Sequence, residues 1–417
     1  MKKLLQINPV IRINTSTGRI MQEIGQLAMK NGWESYIAYS YGRDGIKPCD
    51  SKLVPVGNKA DVAWHGLITR LTDRHGLASE GATRAFIREI ERIQPDIIHI
   101  HNIHGYFLNY RVLFDYLAKC GIPVVWTVHD CWLYTGHCYY YSYIGCNKWE
   151  SECVHCPQRK LFPTSWWADR STQNFRDKKA AFTSISKDRF TIVPVSHWIK
   201  GEMERSFLQE YKFRVIHNGI DTSIFKQYDE EEVKAKFQLQ GKRILLGVAS
   251  IWSEEKGWND FMKLAERLDG NEQLVLVGVN EKQKAMLPPH VLGISRTENI
   301  RQLAELYSAA DVFVNPTWQD NYPTVNLEAI ACGTPVVTYR TGGSVEAITE
   351  DTGIIVEQGD VEGLLQAVRT IFHKGKTFYQ QSCRKYALKN FRKEDRYADY
   401  LKLYDELICL NKKSKIN

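Results

Sequence analysis

The chain has 417 residues, 43% of them hydrophobic and 25% charged, which fits an ordinary globular protein of two or three domains. No apolar run reaches the ~18 residues that a membrane span needs. The net charge of +7 comes with no nucleic-acid recognition motif, so nucleic-acid binding is not expected. The opening MKKLLQINPVIRINTSTG starts like a signal peptide but lacks an apolar core and a small-residue cleavage site, so it reads as a first strand of a cytoplasmic protein. Basic residues gather at 187–214 and in the tail Lys412-Lys413-Ser414-Lys415. They are either a solvated surface or a peripheral contact with the cytoplasmic face of the inner membrane.

In chain order, strands are expected at 3–7, 35–39, 97–100, 124–128, 191–195 and 214–216. A charged stretch at 229–236 follows, and the pattern restarts at 244–248, 274–277, 312–314, 335–338 and 353–356. Helix-length segments separate the strands almost throughout, which predicts parallel sheets covered on both faces. Two such series imply two doubly wound α/β domains with a boundary near 222–241. Ligands of such sheets bind beyond the carboxyl ends of the strands, so an active-site cleft between facing domains is expected.

The most informative stretch is 311–343, DVFVNPTWQDNYPTVNLEAIACGTPVVTYRTGG. A short apolar strand runs into a polar loop, and Pro323-Thr324 signals a helix start. A second strand at 334–339 follows and ends at Gly342-Gly343. The bare helix N-terminus near Thr324 and Val325 is a seat for phosphate. Asp320 and Glu328 flank it with seven residues between them. Carboxylates repel phosphate, so they should hold hydroxyl groups, and a ligand with central phosphates and terminal hydroxyls is a nucleotide sugar.

Asp320-x7-Glu328, followed by LEAIACGTPVV, resembles the E-x7-E signature of retaining glycosyltransferases of the group 1 family (family four), which have the GT-B fold. Asp320 stands where that family usually has Glu. The turn Asn218-Gly219-Ile220-Asp221 and the segment TGGSVEAI before Thr352-Gly353 extend the resemblance. It implies a first, acceptor-side Rossmann-like domain at 1–225, with a cysteine-rich insertion at 131–160 and a last helix, 392–412, packing back on it. It also implies a nucleotide-sugar-binding Rossmann-like domain at 242–390. The reaction would be a front-face transfer from a nucleotide diphosphate sugar to a hydroxyl of a glycan or lipid-linked acceptor, in surface-polysaccharide synthesis, with no catalytic divalent metal.

The resemblance also assigns roles. Asp320 would hold the sugar hydroxyls and Glu328 the ribose, with Tyr322, Thr324 and Val325 around the nucleotide. Lys256-Gly257 matches the family's cationic Lys-Gly, but Ser250 or Ile251 stands where the diphosphate Arg is usual. Arg296, in the loop that usually meets the base, is a substitute cation. His129, at the end of strand 124–128, would meet the donor sugar. His101 and Asn102 would line the cleft, and His99 is a packed strand residue. Gly18, in Asn14-Thr15-Ser16-Thr17-Gly18-Arg19, stands where the family's Gly-Gly approaches the phosphates.

Five of the ten cysteines fall in 131–156. Cys138, Cys146, Cys153 and Cys156 give C-x7-C-x6-C-x2-C, which suits a closed tetrahedral zinc site, with His137 and His155 as substitute ligands. A loop of free thiols or a redox pair are the alternatives. For the whole chain, a nucleotide-sugar 2-epimerase on the same fold and a catalytically weak sugar-nucleotide-binding scaffold remain as alternatives to a transferase.

Overall fold

The computed structural model describes residues 1–13, 15–45 and 48–414. Asn14 of the glycine segment and Lys415 of the basic tail lie outside the described residues. The chain divides into two compact units, 1–217 with 396–417 and 218–395. The division falls a few residues before the 222–241 stretch. The Asn218-Gly219 turn already belongs to the second unit, where Ile220 N–H bonds Phe391 O at 2.8 Å and Lys393 N–H bonds Ile220 O at 3.0 Å.

The first unit holds one parallel sheet of seven strands: β1 (Lys3–Ile7), β2 (Glu34–Ser40), β3 (Lys52–Val56), β4 (Ile97–Ile100), β5 (Val124–Val128), β6 (Phe190–Pro194) and β7 (Lys212–Phe213), in the order β3-β2-β1-β4-β5-β6-β7. Central strands such as Ile97–Ile100 and Val124–Val128 are buried at every position, as a sheet covered on both faces requires. The expected strand at 214–216 is displaced: the ladder strand is Lys212–Phe213, and Arg214 and Ile216 only continue its N–H bonds, to Ile192 O and Pro194 O. The helix Lys393–Ser414 contributes Tyr397, Tyr400, Leu401, Tyr404, Leu407 and Ile408 to the core that also contains Leu4, Ile97 and Val125.

The second unit holds a six-stranded parallel sheet: β8 (Arg243–Val248), β9 (Glu272–Val277), β10 (Val291–Ile294), β11 (Val312–Asn315), β12 (Val336–Tyr339) and β13 (Gly353–Val356), in the order β10-β9-β8-β11-β12-β13. Both sheets reverse their winding once, between β1 and β4 in the first and between β8 and β11 in the second. Such a switch point opens a crevice beyond the carboxyl ends of the two central strands, where doubly wound sheets bind ligands. Among the described residues no helix is long and apolar enough to cross a membrane.

Candidate active site

In the second unit the loops after β8 and β11 meet at the switch point. The first passes through the single turn Glu254–Lys256 to Gly257, whose φ of +79° and approach to Pro316 leave no room for a side chain: a Cβ would lie 2.4 Å from Pro316 O. The loops are tied by Trp318 N–H to Glu255 O at 2.8 Å and by Trp318 Nε1 to Asp260 Oδ2 at 2.6 Å. This brings two sequence-predicted residues together. Lys256 Nζ lies 2.7 Å from Asp320 Oδ2, and both side chains remain partly open to solvent, at 38% and 18% exposure.

A third loop, after β12, holds Asp320 from the other side. Gly343 N–H donates to Asp320 O at 3.1 Å, and Gly342 has φ +47° with a virtual Cβ only 2.0 Å from that oxygen. Behind it stands a buried polar network that the sequence alone did not reveal. Asn326 accepts from Asn315 Nδ2 at 2.8 Å and donates to Ser344 O and Oγ at 3.1 Å, and Thr338 Oγ1 lies 2.7 Å from Ser344 Oγ. The network fixes the helix Thr324–Ala331, whose N-cap is Pro323 and whose first turn no side chain caps. The N–H groups at its start, at half-buried Thr324 and Val325, therefore carry the positive end of the helix dipole. Glu328 and Tyr322 are each 5% exposed, and Tyr307 OH donates to Glu328 Oε2 at 3.2 Å. Arg296 lies exposed after β10. A lysine, a helix terminus and a carboxylate already paired to the lysine form a site where an incoming phosphate can take over the lysine and release the carboxylate to hydroxyl groups.

In the first unit the switch point carries a chain of side chains. Gln6 on β1 donates through Nε2 to Met21 O at 2.9 Å, so its Oε1 must accept from His101 Nε2–H at 3.1 Å. His101 Nδ1 then accepts from His129 Nε2–H at 3.2 Å, which leaves Nδ1 as the acceptor nitrogen of His129. Burial pulls His101 well below the ordinary histidine value, and His129 to about 4, so both rings are neutral near pH 7. His101 is fully buried and stands behind His129, so it does not line the crevice surface as expected from sequence. Asn102, beside it, is half-buried. His99 bonds Thr127 Oγ1 at 2.7 Å and accepts from Tyr404 OH at 2.6 Å, a packed residue held by the last helix. Gly18 differs from the expectation: its N–H is engaged by Thr15 Oγ1 at 3.3 Å, and a Cβ there would sit 2.3 Å from Arg12 O. It is a packing glycine under a capped helix start, not an open phosphate contact.

The cysteine segment folds onto the first unit. Cys138, Cys146, Cys153 and Cys156 line one small cavity together with His137 and Lys148. His155 is exposed, with φ +46°. The neighbouring thiols act on each other, which pushes Cys138 up and holds Cys156 below the ordinary thiol value. Burial pushes Cys153 up to about 11 although its Sγ accepts from Gly136 N–H at 3.2 Å. Among the described residues no three of these donor atoms lie mutually within 4.8 Å.

Two doubly wound units, the second with a phosphate-ready helix start beside a lysine–carboxylate pair, place the chain in the GT-B class of enzymes. Residues 18–224 match the family described as Glycosyltransferase Family 4, and residues 242–374 that described as Glycosyl transferases group 1. A glycosyl transferase named for colanic acid biosynthesis, WcaC of Escherichia coli (strain K12), is 24% identical over 382 residues, 87% of this chain and 89% of that protein. Sucrose-phosphate synthase from Thermosynechococcus elongatus superposes with a TM-score of 0.73 at 16% identity, over 98% of this chain and 100% of that one. Anabaena HepE in complex with UDP-glucose superposes with a TM-score of 0.64 at 15% identity, over 96% and 100%. The chain belongs to the group 1, family four glycosyltransferases and is a glycosyltransferase with the GT-B fold.

Proposed function

We propose that this enzyme moves a sugar, with retention, from a nucleotide diphosphate sugar to a hydroxyl of a glycan or lipid-linked acceptor in surface-polysaccharide synthesis. The observation that carries the reading is the Lys256–Asp320 pair, 2.7 Å long, beside the uncapped start of helix Thr324–Ala331. On binding, the diphosphate takes Lys256 and the helix N–H groups, and Asp320 turns to the sugar hydroxyls. Tyr322, Thr324 and Val325 adjoin the nucleotide, Glu328 holds the ribose, and Arg296 is the reserve cation. His129 acts on the donor sugar as a neutral imidazole. The bond from the anomeric carbon to the leaving phosphate oxygen breaks, the acceptor oxygen bonds that carbon on the same face, and the acceptor proton passes to the leaving phosphate. The protein contributes position and charge stabilisation, with no covalent nucleophile.

A donor screen that reads product mass and anomeric configuration tests this. Asp320→Asn should lower transfer about tenfold to a hundredfold, the loss of one charged hydrogen bond, while nucleoside diphosphate affinity holds. Wild-type turnover in that variant, or an inverted product, would sink the reading.

A membrane-borne acceptor is supported by an exposed face of the first unit. Trp64, Leu67 and Leu71 share one side of the helix Lys59–Thr72, and Trp166, whose N–H bonds Arg70 O at 2.8 Å, sits at its end beside Trp167. Arg70, Arg74 and Arg159, whose guanidinium bonds Trp167 O, supply positive charge nearby, the combination that anionic bilayer surfaces attract. Cosedimentation with anionic vesicles should be lost in Trp167→Ala, and equal binding to neutral vesicles would argue against it.

A further inference from the structure

We propose that Cys138, Cys146, Cys153 and Cys156 hold one structural zinc ion as four thiolates, and that the buried ammonium of Lys178 is its charge partner. Residues 129–170 contain only three single-turn helices, Cys131–Leu133, Ser142–Ile144 and Lys148–Glu150. Irregular segments beyond about 12–15 residues are uncommon in compact domains unless something organises them. One side of this segment is organised by aromatic packing, with Trp149 buried 5.1 Å from the Tyr134 ring and 5.0 Å from that of Tyr141. All four cysteines line one cavity whose wall includes Tyr141 and Trp149.

Three further observations point to a cation among those sulfurs. Lys178 is 1% exposed, donates to Trp132 O at 2.7 Å and Thr135 O at 2.9 Å, and lies 3.6 Å from the Trp132 ring centre. Among the described residues no carboxylate pairs with it. Asp130 and Asp73 act on it only from beyond ion-pair distance; a buried ammonium with no anion in contact is costly, and a zinc tetrathiolate, with its net double negative charge, would balance it. Next, Gly136 donates its N–H to Cys153 Sγ, and this approach exists only because residue 136 lacks a side chain: a Cβ would lie 2.7 Å from Cys153 Cβ and 2.2 Å from Ser171 O. An N–H aimed at sulfur stabilises a thiolate. Last, His137 is 2% exposed, with Nδ1 held 2.7 Å from Asp73 Oδ1 and Nε2 buried at the same cavity without a partner among the described residues. A carboxylate that orients a histidine in this way is the usual outer shell of a zinc-bound histidine, which marks His137 as the substitute ligand at this cavity. Four thiolates already close a tetrahedral site, so His137 stays outside it. No three of the sulfurs lie mutually within 4.8 Å, so closing the site needs side-chain rotation, which half-buried Cys146 and Cys156 can make while Cys153 keeps its Gly136 N–H.

The full-length protein, purified without added metal, should carry one zinc per chain, released in step with mercurial titration of four thiols. Exchange to Co²⁺ should give the absorption of a tetrahedral tetrathiolate centre. Cys153→Ser should lose the metal, whereas Cys409→Ser keeps it. Lys178→Met should retain the fold and bind zinc about 10- to 100-fold more weakly, the usual effect of an outer-shell change. Near-zero zinc with four freely titrating thiols overturns the proposal, as does a Cys138–Cys156 disulfide in the native protein. A Co²⁺ spectrum of three thiolates and one nitrogen, altered by His137→Gln but not by Cys146→Ser, overturns the four-thiolate assignment.

Discussion

The loop after β11 and the segment after β5 both leave the carboxyl end of a parallel strand at or beside a switch point, yet they are built in opposite ways. The first is held by backbone: Gly257 and Gly342 approach so closely that Pro316 O and Asp320 O occupy the places of their missing side chains. The second is held by side chains: Gln6, His101 and His129 in a line, and an irregular segment organised by buried tryptophans and tyrosines. The backbone-built loop keeps a short motif and tolerates almost no change at its glycines. The side-chain-built region depends instead on the pairing of buried side chains such as Gln6, His101 and His129.

The largest effect should come from breaking the backbone side of this comparison. Gly342→Val puts a branched side chain at φ +47° and into Asp320 O. Strain at such a site, plus displacement of the loop, should cost the second unit about 2–4 kcal/mol. Nucleoside diphosphate binding should fall more than a hundredfold, because Asp320, Lys256 and the helix start move together. Calorimetry of binding checks this, and a variant that binds normally would mean that the loop is not set by that contact.

An intermediate effect should come from the side-chain relay. Gln6→Leu removes the acceptor that fixes the His101 tautomer and leaves the buried His101 Nε2–H unpaired, while Met21 O, inside the helix Ser16–Lys30, loses only its side-chain donor. A loss of about 1–3 kcal/mol in stability is expected. If His129 acts in transfer, kcat should fall about tenfold, equivalent to about 1.4 kcal/mol, while nucleoside diphosphate affinity in the second unit stays at wild type. Unchanged kcat alongside lost stability would make the relay purely structural.

The same contrast explains what the sequence made legible. Strands such as Ile97–Ile100 and Val124–Val128 stand out because a central parallel strand is apolar on both faces. The overlooked strands, Lys52–Val56 and Val291–Ile294, are sheet edges. Lys52 and Pro55 are exposed in one, and Gly293 interrupts the other, so neither makes a continuous apolar run. Asp320, Glu328 and Lys256 were visible because backbone-built loops carry dense local motifs. Their pairing was not, since Lys256 and Asp320 lie 64 residues apart. The relay was illegible for the same reason, with Gln6 and His101 separated by 95 residues. Gly18 misled because a glycine at a helix start looks the same whether it admits a phosphate or a neighbouring carbonyl.

The smallest effect near neutral pH is also the most general separation of the two units. Ten of the twelve histidines lie in the first unit, at or before His217. Burial pulls His65 down to about 3 and His129 to about 4, and holds His75, His99 and His101 well below the ordinary value of 6.5. These rings are neutral when folded and protonate near 6.5 when unfolded. Below that pH the unfolded state therefore binds more protons, and stability falls as pH drops from about 6.5 toward the folded values. Each such ring contributes up to about 1.4 kcal/mol per pH unit. His290 and His373, the second unit's histidines, are not buried in this way. Hydrogen exchange on the full chain at pH 7 and pH 5 should show protection falling in peptides from β4 and β5 while those from β11 and β12 hold. Equal loss in both units would mean that the acid response has another source, and a first unit untouched at pH 5 would mean that the buried rings take up protons without opening the fold.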